Sequence, residues 1–306
     1  MKISNLLQLP FSNVFLFSLF WALQIFVSKL AFKAGAHPVT FLLQSTLVNW
    51  LTLSIIVLPK KWKELKNIKK DVLKGIILAN AIHFGFGAFF SNSGVALATA
   101  INAGFLMKFA MVTTLLMAWI FLKEKLTLSK SMAALVMFFG VFLLSTQGRL
   151  IVPQVGDLLI ILACLSWSTG NVILRKILRE NSVSGETVSF LRPISGFPLI
   201  LLFIIFAPIY PIELREVFQV NFFDFGYTGY VVVAGMLVAL LTLFLNRTLK
   251  VASASYMTMM SMMTPVFVAI LALSFLGERM VSIQILGATL IILSGAVTHC
   301  TKVAKQ

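Results

Sequence analysis

Ten stretches of about 20 mostly apolar residues follow one another along the chain. They lie at 12–32, 38–58, 74–96, 100–122, 130–147, 156–177, 187–208, 227–246, 254–276 and 281–300. Most breaks between them carry Pro, Gly or charge. Examples are His37-Pro38, Pro59-Lys60-Lys61, Lys123-Glu124-Lys125, Pro153, Gly185, Pro208 with Pro211, and Gly277-Glu278-Arg279. Inside hydrocarbon every backbone N–H and C=O needs an internal partner, so such stretches fold as helices. The expected fold is an all-α membrane protein of ten transmembrane helices. The longest loops, 59–73 and 209–226, are too short for a soluble domain.

Composition agrees. The 306 residues are 59% apolar and 11% charged, where a soluble domain carries about 45–50% and roughly 25%. With a mean hydropathy of +0.98, the chain has too little polar surface to cover a water-exposed body. A soluble protein, a disordered chain and a disulfide scaffold are excluded. Cys164 and Cys300 each lie in an apolar run, outside any CxxC spacing, and read as small buried apolar residues. The first apolar stretch spans a bilayer and nine more follow. It therefore reads as a retained helix, although Ala34-Gly35-Ala36 loosely resembles a signal cleavage site.

Lys and Arg number 25 against 10 Asp and Glu, a net charge of +15. In a soluble chain that balance would point to nucleic acid. Here its distribution explains it, and no nucleic-acid partner is expected. With the N-terminus inside, inner segments hold 18 Lys and Arg and outer ones 5, while Lys108 and Arg192 lie within spans. Cytoplasmic loops carry the basic excess. Both termini are thus expected in the cytoplasm and the protein in the cell (inner) membrane. The lysine-rich 59–74 segment would also meet anionic lipid.

The chain also repeats itself. At an offset near 154, Phe90, Asn92, Ala98, Ala100, Phe121, Leu122 and Glu124 match Phe244, Asn246, Ala252, Ala254, Phe275, Leu276 and Glu278. Nearer the starts of the halves, Trp21 matches Trp167 and Lys29 matches Arg175. The order of these matches along the chain is what marks a repeat. Five spans per half is an odd count, so the second half enters the membrane from the opposite side. The expected organisation is two inverted five-helix repeats, 1–148 and 149–306. Secondary transporters are often built this way, with substrate bound at the midplane between halves.

Residues 156–177, GDLLIILACLSWSTGNVILRKI, and 264–295, TPVFVAILALSFLGERMVSIQILGATLIILSG, are the most specific stretches. On them the sequence resembles the drug/metabolite transporter superfamily, in its EamA-type ten-helix form, over nearly the whole chain. The resemblance implies a carrier of small metabolites or drugs. It also implies a central cavity lined by helices 1, 3, 4, 6, 8 and 9, with helices 5 and 10 peripheral. In the first half Met111 stands where Pro265 stands in the second, and Lys123 where Gly277 stands. No proline marks a kink in the fourth helix.

Lys108 is the sharpest single feature. It sits near the middle of 100–122, about 12–20 Å from either end, too deep to snorkel. A charge at bilayer centre costs roughly 2.5–3.5 kcal/mol on insertion scales, and no Asp or Glu lies deep in any span. A cavity-facing cation awaiting an anionic substrate group is the functional reading; a structural ion pair or an uncharged amine is the plain one. Arg192, before Pro193, either snorkels or turns inward, where a guanidinium suits carboxylate or phosphate. His83, beside Asn80, is the titratable group near neutral pH, as a proton relay or a packing residue. Trp21 with Gln24, and Trp167 with Asn171, occupy related places in the repeats and line cavity walls or pack helices. Tyr256, with Ser261 and Thr264, is a further cavity residue.

Pro265 removes a backbone hydrogen bond and serves as a gating hinge or a fixed kink. The run Met257, Met259, Met260, Met262 and Met263 suits adaptable packing. Asn92, Asn102 and Asn246 lie near helix ends and read as caps. Glu124 and Glu278 read as structural, each pairing locally within a short turn.

No P-loop, HExxH, GxSxG or His/Cys cluster occurs. The chain is therefore not expected to be an enzyme, and no cofactor or metal is expected. The reading is a secondary transporter of a small polar metabolite with an anionic group. The rival is a lipid-precursor flippase or membrane assembly subunit. Partners are the small-molecule substrate and the bilayer, with a homodimer left open.

Overall fold

The computed structural model describes residues 10–98, 100–150, 154–218, 220, 226–275 and 280–303. The described residues form ten membrane-scale helices. They are α1 Pro10–Lys33, α2 Pro38–Lys66, α3 in three joined pieces (Lys70–Asn80, Ala81–Phe86 and Gly87–Ala96) and α4 in three (Ala100–Leu106, Met107–Phe109 and Ala110–Leu122). Next come α5 Leu128–Thr146, α6 Val155–Glu180, α7 Gly185–Ile205, α8 Thr228–Val251, α9 (Ala254–Ser261 then Thr264–Phe275) and α10 Ser282–Val303. Nine satisfy the length and hydropathy of a membrane span as continuous units. The broken α4 supplies the tenth. The protein is a multi-pass, all-helical membrane protein.

Helix ends follow local chemistry. Ser184 and Ser253 cap α7 and α9 by accepting from the N–H groups of Thr187 and Tyr256. Gln154 and Asp157 form a capping box at the start of α6. Two expectations fail here. Pro59 does not end α2, which continues through it to Lys66. A proline costs one internal hydrogen bond, and at a helix end that has left the hydrocarbon water can supply the missing partner. The 59–73 loop is accordingly mostly helix. Within the 209–226 loop a short helix spans Ile212–Val217.

Packing follows the repeat. α1 lies against α8 as α6 lies against α3, and α9 lies against α1 as α4 lies against α6. Each half thus inserts its first helix into the other half. α2 and α7 meet each other near the pseudo-axis, and α5 with α10 form a separate pair on one side. That pair crosses at glycine: a Cβ on Gly140 would stand 2.8 Å from the Gly287 carbonyl oxygen, and one on Gly287 would stand 2.6 Å from that of Gly140. Small residues let membrane helices approach backbone to backbone. Leu51, Ile55, Trp119, Leu135 and Phe139 point outward and stay exposed, as side chains solvated by lipid tails do. Cys164 is buried, but Cys300 is exposed on α10, so the burial expected of both holds for Cys164 alone.

Candidate functional site

The site begins with two helices that break at the same place in the repeat. α4 changes to a 3₁₀ turn at Met107–Phe109. α9 interrupts at Met262 and Met263 before restarting at Thr264. At the 154-residue offset these are equivalent positions, and Lys108 corresponds to Met262. In α9 the restart carries Pro265 as its second residue, so the proline lies just past the break. In α4 no proline is needed. Side chains of α6 brace the carbonyls on either side of the break instead: the Cys164 thiol donates to Leu106 O (3.3 Å) and the Ser168 hydroxyl to Ala110 O (3.3 Å). Ser168 also bonds Thr113 and Thr114 at 2.6 and 2.8 Å. Broken helices near the midplane, tolerated where the backbone is buried in protein or lines a cavity, are a transporter feature.

A cavity of about 640 Å³ opens beside both breaks, within the range that holds a small molecule. Of the site residues expected from sequence, Lys108, Arg192, His83, Trp21, Gln24, Trp167 and Asn171 all line it. Along α1 its wall runs from Phe17 to Phe32, and on α3 it reaches Ser91. It therefore leads from the middle of the protein toward the face where α1 and α3 end.

Each polar group has a definite setting. The Lys108 ammonium stands 4.9 Å from the centre of the Trp21 ring, a cation–π distance. Among the described residues it has no hydrogen bond or ion pair. The Arg192 guanidinium turns inward, 5.8 Å from the centre of the Phe84 ring, and its Nη1 is buried with no hydrogen-bond partner. Arg192 does not snorkel. His83 lies in the π-helical turn Ala81–Phe86 of α3 and contacts the Trp167 carbonyl through Nδ1 at 3.1 Å. Such turns recur at functional sites. Gln24 donates to Ser28 at 2.9 Å. The Asn171 carbonyl oxygen is buried without a partner.

Tyr256 departs from its companions. It is buried in the main apolar cluster, with its hydroxyl 3.1 Å from His299 Nδ1, and does not line the cavity. Ser261 does line it, and Thr264 is buried. Asn92 and Asn246 do not act as caps either. Asn92 bonds back to Ala88 O, Asn102 donates to Asp157 and Asn246 to Ser189.

A second cavity, also about 640 Å³, opens on the opposite face, where α1 begins, between Asn13, Ser182, Ser184, Glu186, Arg247 and Lys250. Asn13 lines one cavity and Phe17 the other, a single helical turn or about 6 Å apart. Val14, Phe17, Leu249, Tyr256, Met257 and Met260 share one buried cluster at this septum. Polar groups tie the helix ends around it. Arg175 donates to the carbonyls of Leu249 (2.6 Å) and Lys250 (2.9 Å), and Lys250 to those of Leu178 (2.6 Å) and Asn181 (2.7 Å). Arg247 pairs with Glu186 at 2.8 Å. Glu64 accepts from Ser184 N at 2.6 Å. Glu124 does not pair within its own turn: it accepts from Ala254 N at 3.0 Å and from Ser255, at the start of α9. Carboxylates at helix N-termini and cations at C-termini match the helix dipoles. Glu278 lies outside the described residues.

A ten-helix inverted repeat with broken helices and a polar central cavity is an architecture of membrane transporters. The chain matches the EamA-like transporter family over residues 10–146 and 154–298. It belongs to that family and is a membrane transporter of small molecules. It is similar to the uncharacterized transporter YyaM of Bacillus subtilis (strain 168), with 24% identity over 232 residues, 74% of this chain and 72% of that one. One solved crystal structure overlays with a TM-score of 0.73 over 94% of this chain and 95% of its own. At 17% identity that likeness concerns the fold.

Proposed function

We propose that this transporter is a secondary carrier that moves a small polar organic anion across the cell membrane by alternating access. Lys108 carries the reading. Its ammonium faces the cavity at the break of α4 with a tryptophan ring beneath it and, among the described residues, no carboxylate in the cavity lining. A cation within a membrane span with no counter-ion among the described residues is a costly arrangement that an anionic ligand relieves. Arg192 is the second cation and Lys29 lies farther along α1 in the same lining. Trp21, Gln24, Trp167 and Asn171 form walls around the solute.

Alternating access is supported by the two cavities lying back to back across one helical turn. Rocking of 1–148 against 149–306 would open the septum at Phe17 and close the mouth near Phe32. Pro265 and the break before it serve as the hinge in α9, with Tyr256 part of the septum rather than a substrate contact. On the basic-residue count the present cavity faces outward, with both termini in the cytoplasm.

The test is thermal stabilisation of the purified protein by a panel of organic acids, amino acids, nucleotides and amines. The reading expects anionic ligands to stabilise the wild-type protein and Lys108→Ala to lose that response while keeping its unliganded melting temperature. Stabilisation only by neutral or cationic compounds would make Lys108 structural and end the anion assignment.

A further inference from the structure

The cavity holds a hydrogen-bond acceptor whose placement narrows the substrate class. His83 Nδ1 lies 3.1 Å from the Trp167 carbonyl oxygen. A carbonyl oxygen only accepts, so Nδ1 carries the hydrogen and donates. In the neutral ring Nε2 is then left with its lone pair. The opposite atom is not spent elsewhere: among the described residues Nε2 makes no hydrogen bond. His83 is 7% exposed and lines the cavity, so the ring borders the space where a solute would lie. The ring is also held in register. A Cβ on Gly170 of α6 would stand 2.5 Å from His83 Cβ, so α6 closes directly on the π-helical turn and fixes where the imidazole points.

Around this acceptor the charges are one-sided. Lys29, Lys108 and Arg192 line the same cavity, and among the described residues no Asp or Glu does. A protonated imidazole there would be a further cation, which favours the neutral ring. The group that meets Nε2 must be a donor, and in a cavity lined by three cations a neutral donor is favoured over a positive one. A hydroxyl satisfies both conditions; an ammonium donates but is repelled.

Resting on the anion reading above, we propose that the cavity takes a small hydroxy acid. Its carboxylate would sit with Lys108 and Arg192, and its hydroxyl would donate to His83 Nε2. His83 is then the residue that separates hydroxy acids from their unsubstituted and amino counterparts. A hydrogen bond to a neutral acceptor is worth roughly 3–10-fold in affinity, and leaving a buried acceptor unpaired penalises the analogue that lacks the donor.

The experiment is calorimetric titration of the purified protein with two matched series: lactate, propionate, 2-methoxypropionate and alanine, then malate, succinate and aspartate. The proposal expects lactate and malate to bind roughly 3–10-fold more tightly than propionate and succinate. 2-Methoxypropionate keeps the oxygen but not the O–H and should bind no better than propionate. Alanine and aspartate should bind more weakly than lactate and malate. His83→Phe should flatten the hydroxyl preference to below about twofold while propionate and succinate still bind. The ligand series decides in the wild-type protein even if that variant fails to fold. Equal affinity across lactate, propionate and 2-methoxypropionate, all lost in Lys108→Ala, would overturn the hydroxyl pairing and leave the anion site standing. Tighter binding of the amino acids, or a hydroxyl preference that survives in His83→Phe, would also overturn it. Failure of every acid to bind would remove the anion reading and this proposal together.

Discussion

The fourth and ninth helices share one backbone plan and use it differently. Each runs for two turns, breaks, and continues for three or more. In α9 the break is followed by Pro265 and its interior positions are methionines, with Met259, Met260 and Met262 at most 3% exposed. In α4 the break has no proline, is braced from outside by Cys164 and Ser168 of α6, and presents Lys108. The third and eighth helices diverge in the same sense, since α3 carries a π-helical turn with His83 and α8 is regular throughout. The inverted repeat thus sets where the backbone opens, and single residues set what the opening binds. Lys108 and His83 sit on the first half's α4 and α3, while the second half supplies Arg192, Asn171, the brace and the Trp167 carbonyl, and both halves contribute to the septum.

The largest expected effect comes from erasing the difference. Lys108→Met gives α4 the side chain that α9 has at Met262, and should weaken organic-anion binding by about tenfold to a hundredfold, the worth of a charged hydrogen bond. Calorimetric titration reads the loss, and a retained melting temperature separates it from misfolding. Next comes the brace. Ser168→Ala leaves Thr113, Thr114 and Ala110 O without a common partner and should cost about 1–3 kcal/mol, read by denaturant unfolding in detergent. The corresponding change in α9, Pro265→Ala, should cost less, about 1 kcal/mol or below, because there the chain conformation rather than a cross-helix bond maintains the break. A larger loss from Pro265→Ala than from Ser168→Ala would reverse the comparison.

An effect smaller than that of Ser168→Ala is expected at the link between the two helices. Glu124→Ala removes the carboxylate at the α9 N-terminus and should lower stability by about 0.5–2 kcal/mol on the same measurement. The smallest acts at the end of α4. Lys123 adopts φ +53°, a left-handed conformation that suits glycine, at the position where the second repeat has Gly277. Lys123→Gly should raise stability by up to about 1 kcal/mol.

Sequence carried the fold well because bilayer thickness dictates helix length and hydrocarbon dictates helix. It was less exact where helices leave the membrane: Pro59 sits inside α2, and Glu124 and Asn246 reach other helices instead of their own ends. A linear reading sees neighbours in sequence, and these partners lie 57 to 131 residues away. The cavity residues were legible for a physical reason. Lysine, arginine, histidine and paired Trp–amide positions are conspicuous in apolar spans, and seven of the eight converge on one cavity. Tyr256 was not separable from them, since an amphipathic ring fits a septum as well as a cavity wall. Cys164 and Ser168 were missed because small polar residues are common in membrane helices. Their spacing of four, which puts both on one face of α6, was the available signal.

The most direct measurement of the central claim is counterflow in proteoliposomes. Vesicles loaded with unlabelled malate or lactate are diluted into the labelled acid, with wild-type protein or Lys108→Met. The account predicts saturable, transient accumulation of label with the wild-type protein and its loss in the variant. Electrical conductance without counterflow, or counterflow unchanged in Lys108→Met, would contradict it.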